Sequence, residues 1–268
     1  MFSDDKSTPS DLEIALQLAD IADEISMQRY LAIDLIVETK PDLTPVSDAD
    51  RAVEQALRSY LGEHRKNDAI IGEEFGASNE KTERSWIIDP IDGTKNFVRG
   101  VPVWASLIAL KRSNTMQVGV VSAPALGRRW YASAGDGAFV IEKLADKKKV
   151  RRLSCSKVAK LADASLSVSS FDKKDGWKDL QPNLLKLSEM VWRNRGYGDF
   201  WSHMLVAEGA IDLALEPQLA LWDMAALEVI VNEAGGRFSN FSGLDGSSGP
   251  GAISSNQLLH DLVLTQLK

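Results

Sequence analysis

Residues 86–94 read Trp86-Ile87-Ile88-Asp89-Pro90-Ile91-Asp92-Gly93-Thr94, an apolar run that leads directly into two carboxylates. The three apolar residues at its start indicate a strand that is buried on both faces. Pro90 cannot continue a hydrogen-bonded ladder, so the chain is predicted to turn there and to bring Asp92 back close to Asp89. Two carboxylates so close repel each other unless a cation lies between them. The stretch therefore predicts a cation site at the end of a buried strand.

The chemistry of this turn favours a magnesium ion and a phosphate. Carboxylate oxygens suit Mg²⁺, which normally keeps waters and a substrate phosphate in its coordination shell. Gly93 lets a phosphate approach the backbone, and the amides that follow it point outward, as at a helix N-terminus. Mn²⁺ and Zn²⁺ also fit a carboxylate site. An ordinary interpretation stands beside this one, because most Asp-Pro and Asp-Gly pairs form turns that bind nothing.

Composition excludes several classes of protein. The chain has 268 residues, of which 44% are hydrophobic and 26% charged, as is typical of one globular unit with a large core. A net charge of −7 argues against a nucleic-acid surface, and the basic run at 147–152 is interpreted as a solvated connection. The single cysteine, Cys155, fits a reducing compartment. With no basic and apolar leader and no run of ~20 apolar residues, we expect a cytoplasmic protein without membrane contact.

Periodicity along the chain predicts an α+β protein made of stacked helical and sheet layers. Predicted helices lie at about 12–30, from residue 47 or 48 onward, and at 182–190, 200–208, 222–233 and 257–267. Predicted strands lie at 69–71, 86–89, 104–110, 116–122, 128–133, 138–141, 166–169, 211–215, 237–239 and 252–254. A change in composition near Asp146 divides the single predicted domain into subdomains 1–146 and 147–268.

Four motifs occur together in the chain. They are Gly72-Glu73-Glu74, the stretch 89–94, Glu216-Pro217, and Trp222-Asp223 opening a helix that ends at Glu233-Ala234-Gly235-Gly236. With these motifs the sequence resembles the inositol monophosphatase-like family of metal-dependent phosphatases, over nearly its whole length. The resemblance implies a layered αβαβα sandwich of the inositol monophosphatase/fructose-1,6-bisphosphatase type, and it suggests a homodimer.

The resemblance also implies a set of metal ligands. Two principal Mg²⁺ ions are implied, with Glu73, Asp89 and the carbonyl of Ile91 on the first, and Asp89, Asp92 and Asp223 on the second. Asp50 matches an acidic position that assists a weaker third ion, although Asp48 lies near enough to compete for that assignment.

Catalysis in this family is implied to proceed by a metal-activated water, without a covalent nucleophile. Metal ions lower the pKa of a bound water and stabilise the leaving alkoxide. Glu73 and Thr94 resemble the pair that orients the attacking water, and Asp92 joins them as a catalytic candidate. The predicted contacts to substrate are Glu73, Asp92, Gly93, Thr94, Arg195, Asp199, Glu216 and Asp223. The three histidines lie outside every motif, and none is assigned to catalysis.

The substrate is expected to be read by residues 195–201, Arg195-Gly196-Tyr197-Gly198-Asp199-Phe200-Trp201. Asp199 departs from the small residues of inositol-type members and resembles the family's histidinol-phosphate phosphatase branch, in which Arg195 also has a counterpart. Asp199 and Glu216 would give charge-assisted hydrogen bonds to an ammonium group on the leaving alcohol. Asp199 has a second interpretation as the N-cap of the following helix.

The hypothesis is therefore Mg²⁺-dependent hydrolysis of L-histidinol phosphate to L-histidinol and phosphate, in histidine biosynthesis. An inositol-1-phosphate or broad sugar-phosphate phosphatase is the alternative within the enzyme class. A nucleotide 3′-phosphatase is disfavoured because the sequence shows no added basic pocket. A phosphoester-binding pseudo-enzyme is disfavoured because all the implied ligand residues are present.

Overall fold

The computed structural model describes residues 9–41, 43–78, 82–144 and 147–268, without the side chain of Leu144. The helices in these ranges are α1 (Asp11–Arg29), α2 (Asp48–His64), α3 (Thr94–Val98), α4 (Gln181–Met190), α5 (Asp199–Ala207), α6 (Leu221–Glu233) and α7 (His260–Gln266). The strands are β1 (Val37–Thr39), β2 (Pro45–Ser47), β3 (Ala69–Gly72), β4 (Gly76–Ala77), β5 (Arg84–Asp92), β6 (Ala105–Arg112), β7 (Thr115–Ala123), β8 (Arg128–Ser133), β9 (Gly137–Leu144), β10 (Lys147–Arg152), β11 (Ser165–Val168), β12 (Arg193–Arg195), β13 (Leu213–Glu216), β14 (Arg237–Ser239) and β15 (Ala252–Ser255).

The strands form two large sheets and one hairpin. The first sheet has the order β10-β9-β8-β7-β6-β5-β3-β4 and is antiparallel except for the parallel pair of β3 and β5. The second has the order β12-β11-β13-β15-β14 and is mixed. Strands β1 and β2 form a separate antiparallel pair. No helix among the described residues combines the length and the apolar character needed to cross a membrane.

Three hydrophobic clusters stack these elements into five layers. Helices α1 and α2 pack on one face of the first sheet. Helices α5 and α6 lie between its other face and the second sheet. Helices α4 and α7 cover the outer face of the second sheet. The αβαβα sandwich predicted from the sequence is confirmed.

The central strand β5 is buried on both faces, as its apolar run predicted. Successive side chains of a strand point to opposite faces. Trp86 and Ile88 therefore pack against α1 and α2, while Ile87 packs against the layer that contains α6. Burial on both sides fixes the register of β5 and therefore the position of its C-terminal carboxylates relative to the neighbouring strands.

The strand does not end at Pro90, and that part of the prediction is wrong. Strand β5 runs on to Asp92, and its pairing with β6 shifts register between Asp89 and Asp92. The irregularity accommodates a residue without an amide hydrogen, because the ladder is interrupted there. Ser106 on β6 donates its hydroxyl to the Pro90 carbonyl at 2.6 Å and so satisfies that buried oxygen.

The basic run at 147–152 forms a strand, so the prediction of a solvated connection is also wrong. It forms the edge strand β10, which pairs with β9. Lysines on an edge strand keep the open edge from pairing with another chain. The first sheet continues to Arg152, and Asp146 itself lies outside the described residues. The division into subdomains 1–146 and 147–268 stays a prediction.

Candidate active site

Three carboxylates meet where β5 ends and where α5 and α6 begin. Asp89, Asp92 and Asp223 each offer an oxygen atom, and these atoms lie within 4.8 Å of one another. The first two stand at the end of β5, and the third stands in the first turn of α6. The structure therefore brings together three of the residues that the sequence predicted as metal ligands.

A backbone amide holds each of these carboxylates in place. Asp89 Oδ1 accepts from its neighbour's amide, that of Ile91, at 3.0 Å. Asp92 Oδ2 accepts from the amide of Phe200 at 3.0 Å, which links β5 to the start of α5. Asp223 Oδ2 accepts from the amide of Ala220 at 2.7 Å, just ahead of α6. Since one oxygen of each group is fixed by an amide, the orientation of each carboxylate is set by the backbone.

Burial and mutual repulsion disfavour the charged forms of these carboxylates. Burial first, and then the neighbouring acidic groups, raise the pKa values of Asp89 and Asp92 well above their usual range. Burial raises the pKa of Asp223 to about 6, with a further contribution from Glu73. A divalent cation removes this repulsion, and carboxylate oxygens are the donors that hard cations prefer. The donor set therefore fits a metal ion.

Glu73 stands close to this cluster but is paired with a lysine. Its negative charge raises the pKa of Asp89, and its own amide donates to the Ile88 carbonyl of β5 at 3.2 Å. Lys40 reaches over from the β1–β2 hairpin, with Nζ at 2.7 Å from Glu73 Oε1 and 2.6 Å from Glu74 Oε1. Sequence reasoning missed Lys40, since only the tertiary structure brings the hairpin to this turn.

Thr94 and Asp50 share a hydrogen bond beside the cluster. The Thr94 hydroxyl lies 3.1 Å from the carbonyl oxygen of Ile91 and 3.3 Å from Asp50 Oδ1. Asp50 also accepts from Ser47, through the amide at 2.8 Å and the hydroxyl at 2.6 Å. Asp48, the competing acid, pairs instead with Arg29 at 2.8 Å. The geometry thus favours Asp50 over Asp48 at this position.

Gly93 is the residue that lets the turn close. Its φ of 80° is left-handed, and a Cβ there would lie 2.9 Å from the Val103 carbonyl oxygen and 3.2 Å from Asp199 Oδ2. A side chain would therefore be strained and would also collide with the opposite wall. The close approach places Gly93, the N-cap of α3, directly beside Asp199 of the other half of the chain.

Asp199 is not the N-cap of its helix, so that alternative interpretation is wrong. Gly198 takes the N-cap position, and Asp199 begins α5 with a left-handed φ of 44°. Its Oδ2 accepts from Asn96 Nδ2 at 3.0 Å, and Asn96 also donates to the Val103 carbonyl at 2.9 Å. Burial raises the pKa of Asp199, whereas Lys95 opposes that change. The carboxylate therefore faces Gly93 and Asn96 rather than its own helix.

Ser169 connects Asp199 with the second predicted specificity carboxylate, Glu216. The Ser169 hydroxyl accepts from the Asp199 amide at 3.0 Å and donates to Glu216 Oε1. Glu216 stands at the end of β13 and is 8% exposed. Burial raises the pKa of Glu216 to about 8, and the charges of Asp199 and Asp223 add to that increase. Ser169 thus ties the Glu216 carboxylate to the Asp199 backbone, and the two carboxylates lie near enough for their charges to interact.

Arg195 lies apart from these groups. It is exposed on β12, and its guanidinium donates to the carbonyl of Asn194 at 2.7 Å. Among the described residues it makes no hydrogen bond or ion pair with the carboxylates. Its neighbours at the surface are Trp192 and Arg193, which line the same shallow cavity. Its predicted contact with substrate stays a prediction that the described contacts do not support.

The five-layer fold is an α+β architecture, and its carboxylate cluster could hold a metal ion. The sequence model of the Inositol monophosphatase family matches residues 9–268. A histidinol-phosphatase of Mycobacterium tuberculosis is 56% identical over 96% of this chain and 97% of its own. A histidinol-phosphatase of Streptomyces coelicolor is 51% identical over 96% of each chain. The solved structure of the extragenic suppressor protein SuhB from Bartonella henselae superposes with a TM-score of 0.85 at 28% identity, over 95% of this chain and 97% of that one.

The chain therefore belongs to the inositol monophosphatase family and is a phosphatase, as the motifs in its sequence predicted.

Proposed function

We propose that this phosphatase hydrolyses L-histidinol phosphate to L-histidinol and inorganic phosphate in the cytoplasm, as a step of histidine biosynthesis. The names of the two relatives support this substrate. The observation that carries the proposal is the link between Asp199 and Glu216 at one end of the carboxylate cluster, where the Ser169 hydroxyl donates to the Glu216 carboxylate and accepts from the Asp199 amide. A leaving alcohol with an ammonium group would satisfy both charges.

Two or three Mg²⁺ ions would be held by the residues that the sequence resemblance implied. Their ligands would be Glu73, Asp89, the carbonyl of Ile91, Asp92 and Asp223, with Asp50 assisting a third ion. Bound metal would supply a water of lowered pKa and would neutralise charge on the phosphate and the leaving oxygen. Residues of the chain itself would orient the attacking water, receive the phosphate oxygens and select the leaving alcohol.

Thr94 and Glu73 would orient the attacking water. The Thr94 hydroxyl lies between a carbonyl and the carboxylate of Asp50, so its rotation is restricted before substrate arrives. Glu73 would accept a proton from the water once Lys40 releases Oε1. The amides of Gly93 and Thr94 would receive the phosphate oxygens, and Asp92 would help to align the reacting groups. Water would then attack phosphorus directly, without a covalent enzyme intermediate.

The leaving-group end would select the cationic alcohol. Asn96 fixes Oδ2 of Asp199, and Ser169 fixes one oxygen of Glu216, so each carboxylate keeps its other oxygen for the substrate. An ammonium group lowers the pKa of a neighbouring carboxyl, and both of these carboxyls have raised values in its absence. A neutral polyol offers no such compensation. The site would therefore discriminate by charge.

The test compares kcat/KM for L-histidinol phosphate and for inositol 1-phosphate in the presence of Mg²⁺. We expect a preference above ~100-fold for the first, about 2.7 kcal/mol of transition-state discrimination. Asp199→Asn should raise KM for L-histidinol phosphate far more than it changes turnover of the neutral ester. Comparable rates for the two esters would instead support a broad-specificity phosphatase. Equal effects of Asp199→Asn on both would remove the role of Asp199 in selectivity.

We also propose that the protein is a homodimer, as the family resemblance suggests. Sedimentation analysis of the purified protein tests this directly, and a mass of one chain at every concentration would exclude it.

The proposed substrate also requires a bound metal. The protein has a net charge of −7, so a small anionic ester can bind only if metal reverses the local charge. Activity that persists after thorough chelation would therefore contradict the proposed metal dependence.

A further inference from the structure

A buried carboxylate that the proposed reaction does not use holds the turn that carries Glu73. Glu54 lies on α2 and is 0% exposed. Its Oε2 accepts from the amide of Glu74 at 2.7 Å, and its Oε1 accepts from the amide of Phe75 at 3.2 Å. Both oxygens therefore bind the backbone immediately after Glu73. The turn between β3 and β4 is fixed to the helix beneath it.

Arg58, one helical turn further along α2, completes this arrangement. Its Nε donates to Glu54 Oε1 at 2.7 Å, and its guanidinium also donates to the carbonyl of Gly76 at the end of the turn. The same guanidinium lies 5.9 Å from the centroid of the Phe75 ring. A buried carboxylate without a partner is strongly destabilising, and Arg58 supplies that partner. With two amides and a guanidinium bound, Glu54 is engaged by the chain and is not one of the metal ligands.

The glycine of the Gly72-Glu73-Glu74 motif is explained by this contact. A Cβ at Gly72 would lie 2.0 Å from Glu54 Oε1 and 2.3 Å from its carboxyl carbon. Real Cβ atoms do not approach so closely, and here the obstructing group is tied down by three hydrogen bonds. Glycine is therefore required at this position so that the Glu54 carboxylate can reach the turn.

The spacing of residues on α2 relates this contact to the rest of the site. Asp50, Glu54 and Arg58 are separated by four residues each, so they lie along one face of the helix. Asp50 holds the hydroxyl of Thr94, and Glu54 holds the turn of Glu73. One rigid helix thus places both members of the pair proposed to orient the attacking water.

We propose that Glu54 is a positioning residue that sets the direction of Glu73 toward the carboxylate cluster. This inference rests on the proposed role of Glu73 as a metal ligand and water-orienting group. The competing explanation is that Glu54 only stabilises the fold. The two differ in one respect, because a positioning role links Glu54 to metal affinity whereas a stabilising role links it to unfolding alone.

The experiment measures Mn²⁺ binding to the substrate-free protein by electron paramagnetic resonance of the free ion. Glu54→Gln retains the volume of the side chain but removes the charge that strengthens its three hydrogen bonds. Residues that orient metal ligands typically contribute about 10–100-fold to metal affinity, and we expect a loss in that range. The Mg²⁺ concentration for half-maximal activity should rise in parallel, while kcat at saturating Mg²⁺ should fall less.

Glu208→Gln is the matched control. The Glu208 side chain is 7% exposed and is likewise held by two arginines, Arg128 and Arg151, at the opposite side of the first sheet. It should lower the Tm by a similar amount and leave Mn²⁺ affinity within about twofold of the unmodified protein. Arg58→Gln provides a milder variant, which should weaken Mn²⁺ binding in the same direction if Glu54→Gln does not fold.

The outcomes separate this inference from the proposed function. If Glu54→Gln and Arg58→Gln fold and bind Mn²⁺ as tightly as the unmodified protein, Glu54 has no positioning role. If Glu208→Gln loses the same Mn²⁺ affinity, the effect reports stability and the inference is overturned. If the unmodified protein binds Mn²⁺ but hydrolyses no phosphate ester, the proposed function fails while the positioning role remains measurable.

Discussion

Replacing Asp223 by asparagine tests the reasoning about the carboxylate cluster most directly. The substitution removes one of three clustered charges, and the asparagine side-chain oxygen can still accept the hydrogen bond from the amide of Ala220. We expect two opposite results. The metal-free protein should become more stable at neutral and alkaline pH, and its stabilisation by metal should weaken because the second ion loses a ligand.

The magnitude follows from the raised pKa of Asp223. Its pKa is raised from 3.8 to about 6 in the folded protein. A raised carboxyl pKa contributes stability that is fully present below the unfolded value and is lost as the pH rises through the folded value. Above that range, the charged carboxylate costs about 3 kcal/mol at about 1.36 kcal/mol per pH unit. Asparagine does not ionise, so Asp223→Asn should gain up to this amount.

The assay is urea unfolding in EDTA across the acidic to alkaline range. The difference in the free energy of unfolding between Asp223→Asn and the unmodified protein should be close to zero near pH 4 and should reach about 3 kcal/mol above pH ~7. Added Mg²⁺ at about 1,000 times its Kd should reverse the order, since such a ligand stabilises the protein that binds it by about 4.1 kcal/mol.

Two results would refute this reasoning. If Asp223→Asn is no more stable than the unmodified protein in EDTA above pH ~7, the cluster carries no charge penalty of the expected size. If Mg²⁺ stabilises Asp223→Asn as much as the unmodified protein, Asp223 is not a metal ligand. A difference that stays constant with pH would point to packing rather than to charge.

Three further predictions concern the walls of the site and the core. Asn96→Ala removes the hydrogen bond that holds Oδ2 of Asp199 and should raise KM for L-histidinol phosphate by about 10-fold. This corresponds to about 1.4 kcal/mol from one charge-assisted hydrogen bond. KM for inositol 1-phosphate should stay unchanged and is the control. Because burial raises the pKa of Glu216 to about 8, binding of L-histidinol at neutral pH should release a proton. The calorimetric binding enthalpy should therefore vary with the buffer for the unmodified protein but not for Glu216→Gln. An equal dependence on buffer in both proteins would contradict this prediction. Gly119→Ala places a Cβ 2.5 Å from a backbone carbonyl of α6 and should cost about 1–3 kcal/mol in urea unfolding. Gly62→Ala, in an exposed helical position with nothing within 4 Å, should instead gain up to about 1 kcal/mol; similar effects of the two glycine substitutions would contradict the close approach.

Much of the layered fold is readable from local pattern. Ser10 and Glu13 form a capping box, with hydrogen bonds of 2.7 and 3.2 Å, which marks the start of α1 without reference to the rest of the chain. The apolar run at 86–88 predicts a strand covered on both sides, because alternate side chains of a strand point to opposite faces. Such signals depend on neighbouring residues only, so they can be interpreted from the sequence without the tertiary structure.

The local pattern also misleads where the partner strand decides the outcome. Pro90 signals a turn in isolation, yet its place opposite β6 lets the strand continue through an irregular pairing. Lysines at 147–149 signal a solvated loop, yet their backbone completes the edge of the first sheet beside β9. In both cases the deciding contact comes from another strand, which a propensity argument does not include.

Asp199 shows the same limit within the site. Its propensity as a helix cap and its resemblance to a specificity residue were equally open in the sequence. The structure places Gly198 at the N-cap and aims the carboxylate at Asn96, more than a hundred positions earlier in the chain. The contact depends on the layer stacking that brings α5 against α3.

The sequence by itself determined the chemistry of this protein: the motif at 89–94 supplies carboxylates in a fixed local geometry, and Asp223 recurs at the start of a helix. The tertiary structure alone decided how those groups are held. The contacts of Lys40 with Glu73, of Glu54 with the turn after Glu73, and of Ser169 with Glu216 join distant segments. Their positions follow from the packing of five layers, and packing depends on the whole chain at once, whereas ligand chemistry resides in single side chains.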